Sequence, residues 1–281
     1  MEKIKVSGLG TIQETLLIPL YGRALESKKA MPILKDTKSA MIVDSLDYPF
    51  HRFSDQDSQR SLTRTTIRTA IIDQVVNEWI DQHPNGTIVE LGCGLNTRFE
   101  RTDNGKINWY DLDLPDVYNI WQQFFSPTDR RSFLACSAFD LSWMQQVAAQ
   151  QTEAILIISE ASVIYFDKSQ VMELFQNIAK ILPGAYYLFD STQQIFIDYL
   201  GRNDALKYCS AKMKWALDEH SELESWVPGL EFLQKISLEA PSGKFSRFNE
   251  EIVKTKEATG GSETAEAPDA YFLNLVRFND V

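Results

Sequence analysis

The chain is short of cysteine, short of basic charge and free of long apolar runs, and each shortage removes a class of protein. Three cysteines in 281 residues, Cys93, Cys136 and Cys209, are an odd number at wide spacing. They make no disulfide framework, and no CxxC or Cys/His spacing suits a metal, so none is expected. No window reaches the roughly 18 apolar residues of a membrane span. Residues Met1–Gly10 lack the apolar core of a signal peptide. A cytoplasmic protein is therefore expected. Lys and Arg number 28 against 39 Asp and Glu, a net charge of −11. Such a field repels phosphate backbones and anionic lipid, which disfavours nucleic acid and membrane partners. What the chain does have is 44% apolar residues, ample for one large domain with an added cap.

No internal repeat is visible. Helices are predicted around Thr11–Lys29 and Asp36–Leu46, followed by the aromatic stretch Asp47-Tyr-Pro-Phe-His-Arg-Phe53. From Ser61 to Asp81, Ile67, Ile71, Val75 and Trp79 recur at helical spacing until His83-Pro-Asn-Gly86 stops them. The pattern then changes to short apolar runs at Thr87–Leu91, Ile107–Leu112, Ser132–Ala138, Ala154–Ser159 and Ala185–Phe189. Helix-length segments such as Val117–Phe125 and Lys168–Leu182 separate them. That alternation is the signature of a parallel sheet covered on both faces. Residues 193–228, rich in Tyr and Trp, interrupt it and read as an amphipathic helical insert. Gly229–Leu238 and Tyr271–Phe278 read as two last strands, with Lys254–Ala270 a solvated loop between them. The expected organisation is an N-terminal helical segment over 1–60 and a core over 61–281, with the cap at about 193–228.

The sharpest local signal is Ile88-Val-Glu-Leu-Gly-Cys-Gly-Leu-Asn-Thr97, an apolar strand closing on Gly92 and Gly94. Two glycines one residue apart let the backbone turn tightly and approach a ligand. A dinucleotide fingerprint would place a third glycine where Thr97 stands, and a pyrophosphate site would avoid Glu90. A ligand with an amine or sulfonium welcomes that carboxylate, which favours S-adenosylmethionine over NAD. Asp113, nineteen positions beyond Gly94 in Trp109-Tyr-Asp-Leu-Asp-Leu-Pro115, stands near the ~20 expected of a carboxylate that grips ribose hydroxyls. Asp111 competes with it, two residues earlier on the same strand face.

With these motifs, Arg68-Thr-Ala-Ile-Ile-Asp73, Ile158-Ser-Glu-Ala-Ser-Val-Ile-Tyr165, Tyr21-Gly-Arg-Ala24, Asp47-Tyr-Pro-Phe50 and Trp226-Val-Pro-Gly229 occur in order along the chain. Together they resemble the leucine carboxyl methyltransferase superfamily, and within it the bacterial polyketide-synthesis O-methyltransferases. The resemblance implies an α/β, Rossmann-like methyltransferase sheet of seven strands, the last antiparallel, that binds S-adenosylmethionine. Matched residue by residue, it implies that Arg68 meets the methionine carboxylate through its guanidinium fork. Gly92 and Gly94 would pass under the cofactor beside Glu90, and Asp113 would hold the ribose. Asp140 and Leu141 would contact adenine, and Glu160 would lie near the methionine moiety. Cys93 and Asn96 depart from the family's usual Ala and Asp.

Other residues carry blander alternatives. Arg60, Arg64 and Arg68 form an i, i+4 stripe of a kind that usually faces solvent, so Arg68 stands out through the motif alone. Tyr165 is the acceptor-proximal candidate, with aromatic packing as its alternative, and His51 and His220 read as surface residues. Trp215 and Trp226 fit either a cap core or an acceptor wall. The expected reaction is methyl transfer to a carboxylate or hydroxyl of a small, polyketide-like molecule, with no general base assigned. A protein C-terminal carboxylate, and a cofactor-binding regulator without transfer activity, remain open.

Overall fold

The computed structural model describes residues 3–6, 8–150, 152–200, 205–259 and 269–279. Two-residue strands β1 (Ile4–Lys5) and β2 (Leu46–Asp47) pair in parallel at the N-terminus. Between them lie α1 (Leu17–Glu26) and α2 (Thr37–Ser45), the latter capped by Asp36, whose carboxylate accepts the Ser39 N–H at 2.9 Å. The long helix α3 runs over Gln56–Gln82. It begins five residues before the apolar periodicity does, because Asp55 caps it by accepting the Ser58 N–H at 3.1 Å. One continuous helix thus crosses residue 60.

The seven-stranded sheet comprises β3 (Thr87–Leu91), β4 (Asn108–Asp113), β5 (Arg131–Ala135), β6 (Ile155–Ser159), β7 (Tyr186–Thr192), β8 (Leu230–Ser237) and β9 (Tyr271–Phe278). Its order is β5-β4-β3-β6-β7-β9-β8, with the first five parallel and β9 antiparallel to both neighbours. This is the expected seven-stranded sheet with its last strand reversed. Every residue of β3 is buried, as a strand covered on both faces must be. On one face α3 lays Ile67, Ile71, Val75 and Trp79 against Ile88, Trp109, Leu156 and Leu188. After the short helices α4 (Arg98–Thr102) and α5 (Pro115–Trp121), α6 (Leu141–Ala148) and α7 (Lys168–Ile181) pack on the other face, against Val89, Ile157, Tyr187 and Phe189. Burying one such aliphatic side chain stabilises the fold by roughly 1.5–3 kcal/mol. A third cluster joins Leu17, Leu20, Ile42, Phe50 and Phe53 to Leu95, Trp121 and Ala205, which seats the N-terminal segment over the carboxyl ends of the strands.

Two segments differ from their sequence reading. Residues 193–228 are not one amphipathic helix. They hold α8 (Gln194–Leu200), a 3-10 turn over Ala205–Tyr208, an irregular run to Asp218, and α9 (Ser221–Trp226). The irregular run carries a period of two, with Ala211, Trp215 and Leu217 buried against exposed Lys212 and Lys214. Its backbone bonds to the Ile164 and Thr192 carbonyls. Trp215 and Trp226 belong to the core behind β7. The predicted loop Lys254–Ala270 begins as helix, because α10 spans Asn249–Ala258. Its Glu, Lys and Ala residues are good helix formers, and Glu250 and Lys254 pair across one turn at 2.7 Å. Residues 260–268 of that stretch lie outside the described residues.

Candidate active site

A cavity of about 300 Å³ opens at the carboxyl ends of β3, β4 and β6. Parallel strands end side by side there, so residues far apart in sequence converge. Arg68, Glu90, Gly92, Gly94, Asp113, Glu160 and Tyr165 all line this one space. The glycine turn after β3 has φ of +65° at Gly92 and +53° at Gly94, in the left-handed region that glycine adopts without strain. A Cβ on Gly92 would stand 2.4 Å from Ser162 Oγ. The turn is tied to the next strand, since the Gly94 N–H donates to Asp113 at 2.8 Å. Asp113 also accepts the Leu114 N–H at 2.8 Å, which leaves lone pairs on both oxygens for further donors. Burial raises its carboxyl to about 6 despite those two bonds. The competing Asp111 is buried in structural bonds to Arg131 at 2.6 Å and to the Trp109 indole at 3.1 Å.

Arg68 comes from the buried middle of α3. Its Nε donates to Glu160 at 3.0 Å and its Nη1 to the Tyr271 hydroxyl at 2.9 Å. Among the described residues Nη2 has no hydrogen-bond partner. Glu160 also accepts Thr69 Oγ1 at 2.7 Å and Arg98 Nη2 at 2.6 Å. Burial alone would raise the Glu160 carboxyl, but Arg68 and Arg98 outweigh it and hold the group well below the usual carboxylate range. Glu90 pairs with Arg98 as well, yet burial prevails and lifts it to about 7. The two carboxylates at the cavity floor therefore differ in readiness to hold a proton.

Arg98 joins them. Fully buried, it bonds Asp73 at 2.8 Å besides Glu90 and Glu160. Arg101 bonds Asp73 at 2.5 Å and Asp36 at 3.0 Å, and Asp36 in turn accepts from Arg23 at 3.0 Å. A chain of paired charges thus connects the N-terminal segment to the cavity floor. Asn96 belongs to it, because its amide donates to Glu90 at 2.8 Å and to Glu160 at 3.3 Å. An aspartate there would present acceptors to acceptors, which gives the departure at Asn96 a physical reason.

Asp140 and Leu141 do not line the cavity. Asp140 caps α6 by accepting the Ser142 N–H at 2.9 Å, and Leu141 is exposed. Nearby Cys136, Ser137 and Ala138 supply the wall at the end of β5 instead. Sequence reasoning also passed over Arg98, Asp190 and Tyr271. Arg98 had a signal, since it directly follows the quoted glycine motif. The other two had none, because only the pairing of β7 with β9 brings them to Arg68. Apolar side chains also line the cavity, Ile12, Leu16 and Pro19 from the N-terminal segment and Phe196, Leu206 and Met213 from the 193–228 segment, with Ile12, Leu206 and Met213 packed in one cluster. Among the described residues there is no metal-ligating cluster, and no helix is long and apolar enough to cross a membrane.

The strand order, the glycine turn after the first long strand and the carboxylate closing the second define a Rossmann-like methyltransferase that uses S-adenosylmethionine. The chain belongs to the leucine carboxyl methyltransferase family, whose pattern matches residues 17–179. It is 25% identical over 238 residues to the tetracenomycin polyketide synthesis O-methyltransferase TcmP of Streptomyces glaucescens, covering 84% of this chain and 86% of that one. It is 26% identical over 256 residues to the S-adenosyl-L-methionine-dependent methyltransferase dpfgK of Gibberella zeae, covering 84% and 85%. In fold it is similar to a DUF574 family protein from Streptomyces avermitilis, with a TM-score of 0.57 at 12% identity over 94% of this chain and 96% of that one. The plantazolicin methyltransferase BamL gives a TM-score of 0.50 at 11% identity over 96% and 98%.

Proposed function

We propose that the protein transfers a methyl group to an oxygen, carboxylate or hydroxyl, of a small apolar molecule of polyketide type. The observation that carries this reading is the set of apolar side chains that the N-terminal segment and residues 205–228 add to the cavity lining, Ile12, Leu16, Pro19, Leu206 and Met213. Kinship with TcmP supports it.

The polar residues of the same cavity suit S-adenosylmethionine. In this reading Arg68 meets the methionine carboxylate through its unpartnered Nη2, and Glu90 and Glu160 favour the cationic ammonium and sulfonium end. Asp113, with lone pairs open on both oxygens, accepts the ribose diol, and Gly92 and Gly94 pass beneath with no side chain in the way. Asp140 and Leu141 stay beyond the adenine wall, so any adenine contact of theirs needs a shift of the α6 start. The cofactor supplies an electrophilic methyl group on a sulfonium. The protein's part is to hold an acceptor oxygen in line with that group and to exclude water. A carboxylate acceptor is ionised at neutral pH and needs no general base, whereas a hydroxyl acceptor would benefit from one. Tyr165 lines the cavity and is proposed to contact the acceptor. The N-terminal helices and residues 205–228 act as the lid.

The test is formation of S-adenosylhomocysteine from S-adenosylmethionine with a panel of small aromatic acids and phenols, beside peptides ending in leucine. Turnover on the small molecules alone is expected. Turnover on the peptides alone would assign a protein carboxylate as acceptor.

A further inference from the structure

We infer that Tyr271 and Asp190, on the two antiparallel strands β9 and β7, are positioning residues for the amino-acid end of the cofactor. The inference rests on the reading of Arg68 given above. The Tyr271 hydroxyl accepts from Arg68 Nη1 at 2.9 Å and donates to Asp190 Oδ2 at 2.6 Å. Asp190 Oδ2 itself stands 3.6 Å from Arg68 Nη1 and has no exposed surface. The hydroxyl therefore links a buried anion to the cation. With Nε on Glu160 and Nη1 on Tyr271, the guanidinium is fixed in plane, and Nη2 is the amine left for a ligand carboxylate.

Asp190 does a second thing. Both its oxygens accept the Ala161 N–H, at 3.0 and 2.9 Å. Ala161 directly follows Glu160 and, among the described residues, is the one non-glycine with positive φ, at +49°. A left-handed alanine is strained and persists where its surroundings dictate it. One carboxylate thus sets both the cation that would meet the ligand carboxylate and the turn that carries Glu160. Neither Asp190 nor Tyr271 needs to touch the reacting atoms for this.

The experiment compares two ligands by calorimetric titration. S-Adenosylhomocysteine carries the amino-acid end; 5′-methylthioadenosine has the same nucleoside and thioether but lacks it. Tyr271→Phe should raise the Kd for S-adenosylhomocysteine about tenfold, the scale of one hydrogen bond to a charged group. The Kd for 5′-methylthioadenosine should stay within about twofold. The KM for S-adenosylmethionine should rise with little change in kcat at saturation. Asp190→Asn keeps the shape and removes the charge; it should show the same difference between ligands, and it carries the test if the phenylalanine variant does not fold. Equal weakening of both ligands, or of neither, overturns the proposal. Wild-type protein that binds 5′-methylthioadenosine as tightly as S-adenosylhomocysteine would instead overturn the underlying role of Arg68.

Discussion

Replacing Arg98 by Met tests the charge chain beneath the cavity. Arg98 is fully buried and pairs with Asp73, Glu90 and Glu160. Removing one partner of a buried ion pair costs about 3–5 kcal/mol, because the other charge stays buried and unpaired. The loss does not triple with three carboxylates. Asp73 keeps Arg101 at 2.5 Å, and Glu90, already at about 7, takes a proton at little cost near neutral pH. The penalty falls mainly on Glu160, left with Arg68 at 3.0 Å. For a chain of this length the unfolding entropy is about 0.6 kcal/mol per degree, so Tm should fall by roughly 5–9 °C. The pH dependence separates a charge effect from a cavity effect. In the wild type the Glu160 carboxyl is held below its unfolded value, so its contribution is complete above that value and disappears only as pH falls through the lower folded one. In the variant its pKa moves up, so the deficit should be largest at pH 7–8 and shrink towards pH 5. Differential scanning calorimetry across that range reads this out. A deficit that is absent, or the same at every pH, would refute the reasoning.

Three further outcomes are expected. Arg68→Ala should weaken S-adenosylhomocysteine binding by about 2–4 kcal/mol in calorimetric titration, and unchanged affinity in folded protein would remove Arg68 from the site. Asp113→Ala should weaken it by about 1–3 kcal/mol. Because Asp113 titrates at about 6, wild-type affinity should decline as pH falls below that value and the carboxylate loses an acceptor oxygen, a decline the alanine variant should lack. Cofactor with a competent acceptor should slow hydrogen exchange in residues 11–53 and 205–228 if these form the lid, whereas unchanged exchange in both would end that assignment.

How much was legible in the chain follows from what is local. The strands, the long helix, the glycine turn and the spacing from Gly94 to Asp113 are properties of contiguous residues, and the structure reproduces them to within a few positions. Helix starts were missed where a cap lies outside the apolar stripe, as at Asp55, and the run from Ala211 to Leu217 was missed because its period of two hid inside a segment read as helix.

What one sequence determines here is the kind of sheet and the turn that ends its first long strand, since both depend on side-chain pattern and on the conformational freedom of glycine. The tertiary structure decides which charged groups meet. Asp111 and Asp113 are two residues apart and chemically alike, yet one is consumed by Arg131 and the other faces the cavity. Arg68 meets Tyr271 across 203 residues, and Tyr271 meets Asp190 across 81, because β9 runs antiparallel beside β7. A buried charge is tolerated only with its partners in place, and those partners are supplied by strand order, which no local pattern encodes.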